Sequence, residues 1–190
     1  MNVIKTELKG VVIIEPTVFG DERGYFYESF SQREFEEKVC STTFVQDNQS
    51  YSRYGVLRGL HFQKAPCAQS KLVRVIKGRV LDVAVDIRQG SPTYGKHIAV
   101  ELTAENHRQL FIPRGFAHGF VVLSEDAIFQ YKCDNFYSKE SEGALMWNDS
   151  DLNINWGISE SEAILSAKDL ENPKLKDFIS PFRYDINYYE

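Results

Sequence analysis

The sequence predicts an all-β fold, a jelly-roll barrel with a few short helices, and two observations support this prediction. Strand-like segments are short and are separated by turn residues at intervals of roughly 8–12 residues, a spacing typical of sandwiches and barrels. The segment 79–88 alternates apolar residues with Asp82, Ala84 and Asp86, so that successive side chains point to opposite faces. This alternation predicts an antiparallel strand with one face toward solvent.

The first element along the chain is a short helix over 31–39. It begins with a capping-box pattern formed by Ser31 and Glu34, and Phe35 and Val39 share one face at helical spacing. A second short helix is predicted over 158–166. Both helices are interpreted as additions to the barrel.

Between the two helices, strands follow one another and end at turn residues. Gly78 ends the first of them, and 104–106, 113–115 and 124–126 carry turn residues between later ones. The predicted strands cover 71–77, 79–88, 97–102, 109–112, 116–123 and 127–133.

Length and composition predict one domain over residues 1–190. The chain is 43% hydrophobic and 26% charged, which is typical of a folded globular domain and excludes a disordered one. The formal net charge of −5 argues against a nucleic-acid-binding protein that works by neutralising phosphates. A small anionic ligand remains compatible with this charge, because arginines can cluster locally.

No feature of the sequence indicates export or a membrane. The first ten residues, MNVIKTELKG, lack the apolar core of a signal peptide, and the longest apolar runs are too short to cross a bilayer. Cys40, Cys67 and Cys133 form no C-x-x-C pair, so neither a disulfide framework nor a zinc site is indicated. We therefore expect a cytoplasmic protein.

Two segments contain histidines in a setting that supports chemistry. In GVLRGLHFQ, Arg58 and His61 lie close together beside a glycine, and in IPRGFAHG a turn precedes His118. Each histidine taken alone is more often structural. Metal-binding jelly rolls usually present H-x-H with a carboxylate and a later histidine, whereas His61 is followed by Phe62 and Gln63. We therefore expect no metal and no cofactor.

Basic and aromatic residues accompany these segments. Arginines at a barrel mouth suit bidentate binding of phosphate oxygens, although each one alone also suits a solvated rim. Tyr131 and Tyr137 can supply an acidic hydroxyl or a stacking face, or can simply pack. Asp169 can orient a histidine, although spacing alone does not pair it with His61. The basic residues concerned are Arg23, Arg58, Lys71 and Arg74.

Taken together, these segments resemble the dTDP-4-dehydrorhamnose 3,5-epimerase family. The similarity covers nearly the whole chain, and the segments follow the order that they have in the family. They are FGDERGYFYESF, FVQDNQSYS, GVLRGLHFQ, QSKLVRVIKGRVLDVAVDIR, SPTYGK, FIPRGFAHGF, YKCDNFYS and LSAKD.

The resemblance implies a cupin-type jelly roll without a metal, acting as a homodimer that exchanges an N-terminal strand. It implies that His61 is the general base and that Asp169 orients it. It further implies that Lys71 stabilises an enolate oxygen and that Tyr131 is the general acid. Tyr137 is expected to stack on the thymine ring. The remaining residues expected to bind substrate are Arg23 and Glu28, from either subunit, with Gln46, Asp47, Asn48, Arg58, His118, Glu142 and Lys168.

The reaction implied is inversion of C3 and C5 of dTDP-4-dehydro-6-deoxy-D-glucose to give dTDP-4-dehydro-L-rhamnose. The hydrogens on both carbons are α to the 4-keto group, so their removal gives an enolate, and a histidine near neutral pKa is a suitable base for this step. Three alternatives stay open at this point. They are a mono-epimerase acting at C3 or C5 only, a metal-dependent cupin dioxygenase or isomerase, and a non-catalytic carbohydrate-binding jelly roll.

Overall fold

The computed structural model describes residues 1–189, which form strands, one α-helix and three short 3-10 turns. The helix α1 is Gln32–Lys38, and the 3-10 turns are Lys139–Ser141, Ala167–Leu170 and Leu175–Asp177. The strands are β1 Asn2–Lys5, β2 Val12–Glu15, β3 Phe19–Asp21, β4 Gly24–Phe26, β5 Gln46–Arg53, β6 Leu57–Gln63, β7 Lys71–Lys77, β8 Arg79–Asp86, β9 Arg88–Gln89, β10 His97–Thr103, β11 Gln109–Ile112, β12 Phe116–Val122, β13 Asp126–Cys133, β14 Glu142–Ala144 and β15 Phe182–Arg183.

Two antiparallel sheets make up the barrel. The six-stranded sheet has the order β1-β2-β11-β7-β13-β5, and the five-stranded sheet has the order β10-β8-β12-β6-β14. Neighbours in these sheets are mostly distant in sequence, which is the crossed connectivity of a jelly roll. Two small ribbons, β3-β4 and β9-β15, lie outside the main sheets. The predicted all-β, cupin-type jelly roll is confirmed.

Apolar side chains from both sheets fill the space between them. Val73 and Phe129 of the six-stranded sheet belong to the same buried cluster as Ala84 and Phe120 of the five-stranded sheet. A second cluster covers the outer face of the five-stranded sheet, and includes Trp147. Because β8 and β12 are covered on both faces, the side chains near their centres are held in fixed positions.

The predicted helix and strands are present with small changes at their ends. Ser31 caps α1 by accepting a hydrogen bond from the backbone N–H of Glu34, as the capping-box pattern predicts. The strand predicted over 79–88 ends at Asp86. Within residues 1–189, no helix is long and apolar enough to span a membrane.

The helix predicted over 158–166 is wrong. The segment is a turn in which Glu162 accepts hydrogen bonds from the backbone and the hydroxyl of Ser159. Ile164 then forms an isolated parallel bridge with Val56. Pairing with the edge of the barrel satisfies the backbone groups that a helix would otherwise have satisfied internally.

The solvated face predicted for 79–88 is also wrong. Asp82, Ala84 and Asp86 are each 0% exposed. Asp86 binds Arg88 and Ser91, and Asp82 binds a histidine inside the barrel. The alternating pattern therefore separates an apolar outer face from an inner face whose polar groups have protein partners.

Candidate active site

Two cavities with shared walls lie within the barrel, and their volumes are about 470 and 590 Å³. These volumes lie in the range typical of sites for small molecules. The residues that line both cavities are Asn48, His61, Lys71, Tyr131, Lys168 and Asp169. The four residues predicted to be catalytic are all among them.

The two sheets contribute different groups to the shared walls. His61 lies on β6 of the five-stranded sheet, whereas Lys71 and Tyr131 lie on β7 and β13 of the six-stranded sheet. The Nζ atom of Lys71 lies 5.8 Å from the centre of the Tyr131 ring. An imidazole thus lies on one wall of the cavities, and an amine and a phenol lie on the other.

His61 is held by Asp169 through a hydrogen bond of 2.5 Å between Nε2 and Oδ1. Asp169 lies on the turn Ala167–Leu170 and is only 2% exposed, and its Oδ2 accepts a hydrogen bond from Ser166. Burial raises the pKa of the Asp169 carboxyl, but hydrogen bonds from His61 and Ser166 outweigh burial and hold the pKa below its ordinary value. Asp169 is therefore an anion at neutral pH, and its hydrogen bond engages Nε2 of His61 and not Nδ1.

Burial shifts the pKa values of the two groups on the opposite wall in opposite directions. It raises the pKa of the Tyr131 hydroxyl above its ordinary value, so the phenol keeps its proton at neutral pH. It lowers the pKa of the Lys71 ammonium, while electrostatic attraction to Cys133 and Asp82 acts against this effect. Both groups can therefore interact with negative charge that develops in the cavity.

A second histidine–aspartate pair lies beside the first. His118 on β12 is the direct cross-strand partner of His61, and its Nε2 atom lies 2.9 Å from both carboxylate oxygens of Asp82. Asp82 is completely buried, and His118 is 6% exposed and lines the second cavity. Phe120 and Phe129 stack with ring centres 4.1 Å apart and give this cavity an apolar wall.

Polar residues surround the first cavity. Gln46 donates a hydrogen bond to Asn48 and accepts one from the backbone N–H of Tyr137. Tyr137 lines the same cavity and is 54% exposed. Lys168 and Glu142 form an ion pair of 3.0 Å in the same cavity wall.

Arg58 lines the second cavity, where its guanidinium donates to the hydroxyl of Ser52. It lies three residues before His61 on the same strand. A guanidinium at this position offers several donors to an anionic group of a ligand.

Three of the predicted substrate-binding residues line neither cavity. Arg23 lies in the turn between β3 and β4, where its side chain is 86% exposed and pairs with Asp21. Glu28 lines a separate cavity of about 230 Å³. Asp47 points to the outer face of β5 and binds Lys132.

Several residues of the site are missing from the sequence predictions. Asp82 is one, because alternation in a strand is the same whether the polar face meets solvent or a cavity. Ser166 holds Asp169, and Asn172 lines the first cavity with a buried Nδ2 atom that has no hydrogen-bond partner within residues 1–189. Gln63 and Gln69 also line that cavity. Glutamine, serine and asparagine are common in turns and on surfaces, so the presence of these residue types does not by itself predict a functional site.

No group of three or more histidine, cysteine, aspartate or glutamate side chains is arranged to hold a metal ion within residues 1–189. The two histidines of the cavities each have an aspartate partner instead.

Comparison with known proteins gives consistent results. The family model for dTDP-4-dehydrorhamnose 3,5-epimerase matches residues 5–177. A protein of that name from Shigella flexneri is 58% identical over 178 residues, which are 93% of this chain and 97% of the relative.

Solved structures agree with the sequence relatives. A dTDP-4-dehydrorhamnose 3,5-epimerase from Elizabethkingia anophelis superposes with a TM-score of 0.90 at 61% identity, covering 93% of this chain and 97% of the other. A 3,5-epimerase from Legionella pneumophila, solved in complex with dTDP-4-keto-L-rhamnose, has a TM-score of 0.92 at 49% identity and covers 97% and 99% of the two chains.

Proposed function

The chain belongs to the dTDP-4-dehydrorhamnose 3,5-epimerase family, and we propose that the residues shared by its two cavities carry out the double epimerisation. The family and the isomerase class predicted from the sequence are confirmed, as is inversion at both C3 and C5 in preference to one. The observation that carries the assignment of residues is the position of His61 on one sheet, opposite Lys71 and Tyr131 on the other.

His61 removes the proton from C3 or C5. Its Nε2 atom is engaged by Asp169, so Nδ1 is the nitrogen that takes the proton. As the imidazole becomes positively charged, the nearby carboxylate stabilises it and fixes its orientation. The electron pair of the broken C–H bond moves toward the 4-keto group and produces an enolate.

Lys71 stabilises the negative charge that develops on O4. A cation already in place interacts more strongly with the enolate than with the neutral ketone, so it lowers the barrier and not merely the energy of the bound substrate. Its position beside the Tyr131 ring keeps it on the wall opposite His61.

Tyr131 returns a proton to the opposite face of the carbon. Inversion requires that the proton leave from one face and return to the other, and groups on two facing sheets meet this requirement. Because burial raises the pKa of the hydroxyl, Tyr131 holds a proton to donate at neutral pH. Before the second inversion, His61 releases the proton that it gained to solvent, and the Tyr131 phenolate takes up a proton from solvent.

The surrounding residues bind the nucleotide sugar. Tyr137, which is half exposed, stacks its ring on thymine, and Arg58 and Lys168 supply positive charge for the diphosphate. The apolar wall formed by Phe120 and Phe129 suits the methyl group at C6 of a 6-deoxysugar. The other binding residues are Gln46, Asn48, His118 and Glu142, whereas Asp47 is turned away from both cavities and pairs with Lys132.

Arg23 and Glu28 are proposed to act on the nucleotide in the partner subunit of a homodimer. Both lie outside the two cavities of their own chain, on or next to the β3-β4 ribbon. Phe19 and Phe26 of this ribbon are 64% and 70% exposed, which is typical of a surface that another protein covers.

We further propose that residues 1–190 act as one domain in the cytoplasm. The two main sheets share one apolar cluster, which supports a single domain. Cys40, Cys67 and Cys133 are free thiols, as is usual in a reducing compartment.

Incubation with dTDP-4-dehydro-6-deoxy-D-glucose in deuterated water tests the reaction. Double epimerisation incorporates deuterium at C3 and at C5, and proton NMR of the product is expected to show both positions exchanged and inverted. Exchange at one carbon alone would instead identify a mono-epimerase. Binding without exchange would identify a non-catalytic protein, and loss of activity to a chelator would identify a metal enzyme.

A further inference from the structure

Asp82 is a buried acidic residue beside the site that takes no part in the proposed catalytic steps. Its carboxylate is completely buried, and within residues 1–189 its hydrogen-bond partner is Nε2 of His118, at 2.9 Å from both oxygens. A buried carboxylate with so few donors is costly unless its charge is balanced. The negative charge of Asp82 therefore requires a positively charged group nearby.

Two bases lie close enough to share this one negative charge. Burial raises the pKa of the Asp82 carboxyl, and electrostatic attraction to His118 on β12 and to Lys71 on β7 acts against this effect. If both bases were protonated, the buried cluster would carry a surplus positive charge. Burial lowers the pKa of both bases, but the ordinary pKa of lysine is about four units above that of histidine, so the proton is held by Lys71 and not by His118. Burial is the largest cause of the lowered pKa of His118; attraction to Asp82 opposes it, whereas repulsion by Lys71 and by His61 on β6 adds to it.

The position of the proton on a neutral His118 follows from the geometry. Nε2 faces a carboxylate, which can only accept a hydrogen bond, so the ring proton lies on Nε2. Nδ1 is then unprotonated, and no protein group within residues 1–189 is hydrogen-bonded to it. His118 lines the second cavity, where a ligand can reach it.

We propose that Asp82 is a positioning residue that keeps His118 as a neutral imidazole with its proton on Nε2, so that Nδ1 accepts a hydrogen bond from a hydroxyl of the substrate. This inference rests on the proposed function for the identity of the ligand. An acceptor selects a sugar hydroxyl, because carbonyl and phosphate oxygens carry no proton to donate. The two histidine–aspartate pairs on neighbouring strands thus have different roles, since His61 exchanges protons whereas His118 binds a donor.

The wild-type protein tests the assignment directly. Nitrogen-15 NMR of the histidine side chains distinguishes the two neutral tautomers and the cation, and the His118→Gln variant identifies the signals of His118 by their loss. At neutral pH we expect Nε2 protonated and Nδ1 unprotonated. A cationic ring, or a proton on Nδ1, would overturn the proposal. The spectrum does not depend on catalysis, whereas deuterium exchange tests the proposed function separately.

The Asp82→Asn variant tests the dependence on the carboxylate. An amide can donate as well as accept, so a fraction of His118 is expected to carry its proton on Nδ1. Asp86→Asn is the matched control, because Asp86 is an equally buried aspartate of the same strand, with Arg88 as its partner. In Asp86→Asn, the nitrogen-15 signals of His118 are expected to match those of the wild type. An unchanged His118 tautomer in Asp82→Asn would mean that Asp82 does not set it.

Kinetics separate positioning from a general structural role. Loss of a partner that orients a functional histidine typically costs about 10- to 100-fold, so Asp82→Asn is expected to lower kcat/KM by that factor. In a His118→Gln background the same change is expected to cause little further loss, because Asp82 acts through His118. If the losses of kcat/KM caused by the two single changes multiplied in the double variant, the two residues would act independently, which would contradict the proposal. If Asp82→Asn fails to fold, the wild-type tautomer remains the deciding observation.

Discussion

The imidazole of His61 is the proposed base, so replacing it with an amide, which is not a base, gives a direct test at the scale of one residue. His61→Asn keeps a polar side chain of similar size and leaves a hydrogen bond to Asp169 possible. We expect deuterium exchange at both C3 and C5 to fall below a few per cent of the wild-type rate. Proton NMR of the sugar nucleotide recovered from deuterated water measures the exchange at each of these two carbons. Exchange at C3 or C5 above that level would show that another base acts.

Lys71 is expected to contribute to the chemical step more than to binding. Lys71→Met keeps the length of the side chain and removes its charge, so the enolate loses its cation partner. Removing one group that stabilises such an anion typically costs about 10²- to 10³-fold in kcat. Steady-state kinetics separate the two effects, since a raised KM with an unchanged kcat would make Lys71 a binding residue only.

Tyr131 separates the loss of a proton from its return. Tyr131→Phe preserves the ring and removes the hydroxyl, so His61 can still remove a proton and return a deuteron to the same face. Net epimerisation is therefore expected to fall much further than deuterium exchange. NMR of the product reports both quantities in one sample. Equal losses of exchange and inversion would contradict a role as acid alone. Epimerisation at the wild-type rate would show that Tyr131 only packs in the barrel wall.

At the scale of elements, a pair of glycines allows β6 and β12 to approach closely beside the two histidines. A Cβ atom on Gly119 would lie 2.8 Å from the carbonyl oxygen of Arg58 and 3.0 Å from the Cα atom of Gly59. These neighbours are backbone atoms, so they can yield only if the strands move apart. The approach thus fixes the distance between the strands that carry His61 and His118.

Gly119→Ala is expected to destabilise the protein by about 1–3 kcal/mol, the usual cost of overpacking a well-packed interior. The displaced strands are also expected to lower epimerase activity. Urea denaturation measures the first effect. Gly20→Ala is the matched control, because a Cβ atom there would meet its nearest neighbour at 3.7 Å, which is ordinary contact. Equal stability of the two variants would show that β6 and β12 can separate without cost.

The elements also show how far the sequence alone determines fold and site. Alternation and turn residues predict the strands from 71 onward, because these patterns are local. They do not report what covers a strand, so the inner face of β8, with Asp82, is predicted as solvated although it is buried. The helix predicted over 158–166 fails for a related reason, because pairing of Ile164 with Val56 is a contact that the segment itself does not show. The catalytic set came from resemblance, since no spacing brings Asp169 to His61 across 108 residues.

At the scale of the whole molecule, the proposed dimer predicts that each site is completed by a residue of the other subunit. The Arg23 side chain is 86% exposed and lines neither cavity of its own chain. Arg23→Ala is therefore expected to raise KM for the nucleotide sugar without disturbing the fold. Light scattering is expected to give the mass of two chains for this variant and for the wild type.

Mixing two defective variants tests the exchange itself. In a heterodimer of Arg23→Ala and His61→Asn, one site combines the intact His61 of the first chain with the intact Arg23 of the second, and the other site carries both defects. After unfolding and refolding of an equal mixture, about a quarter of the sites are therefore intact if subunits pair at random. At substrate concentrations below the KM of Arg23→Ala, the mixture is expected to be more active than the two variants refolded separately and then combined. Equal activity would place Arg23 in its own chain's site, because no pairing of these chains could then join an intact Arg23 to an intact His61.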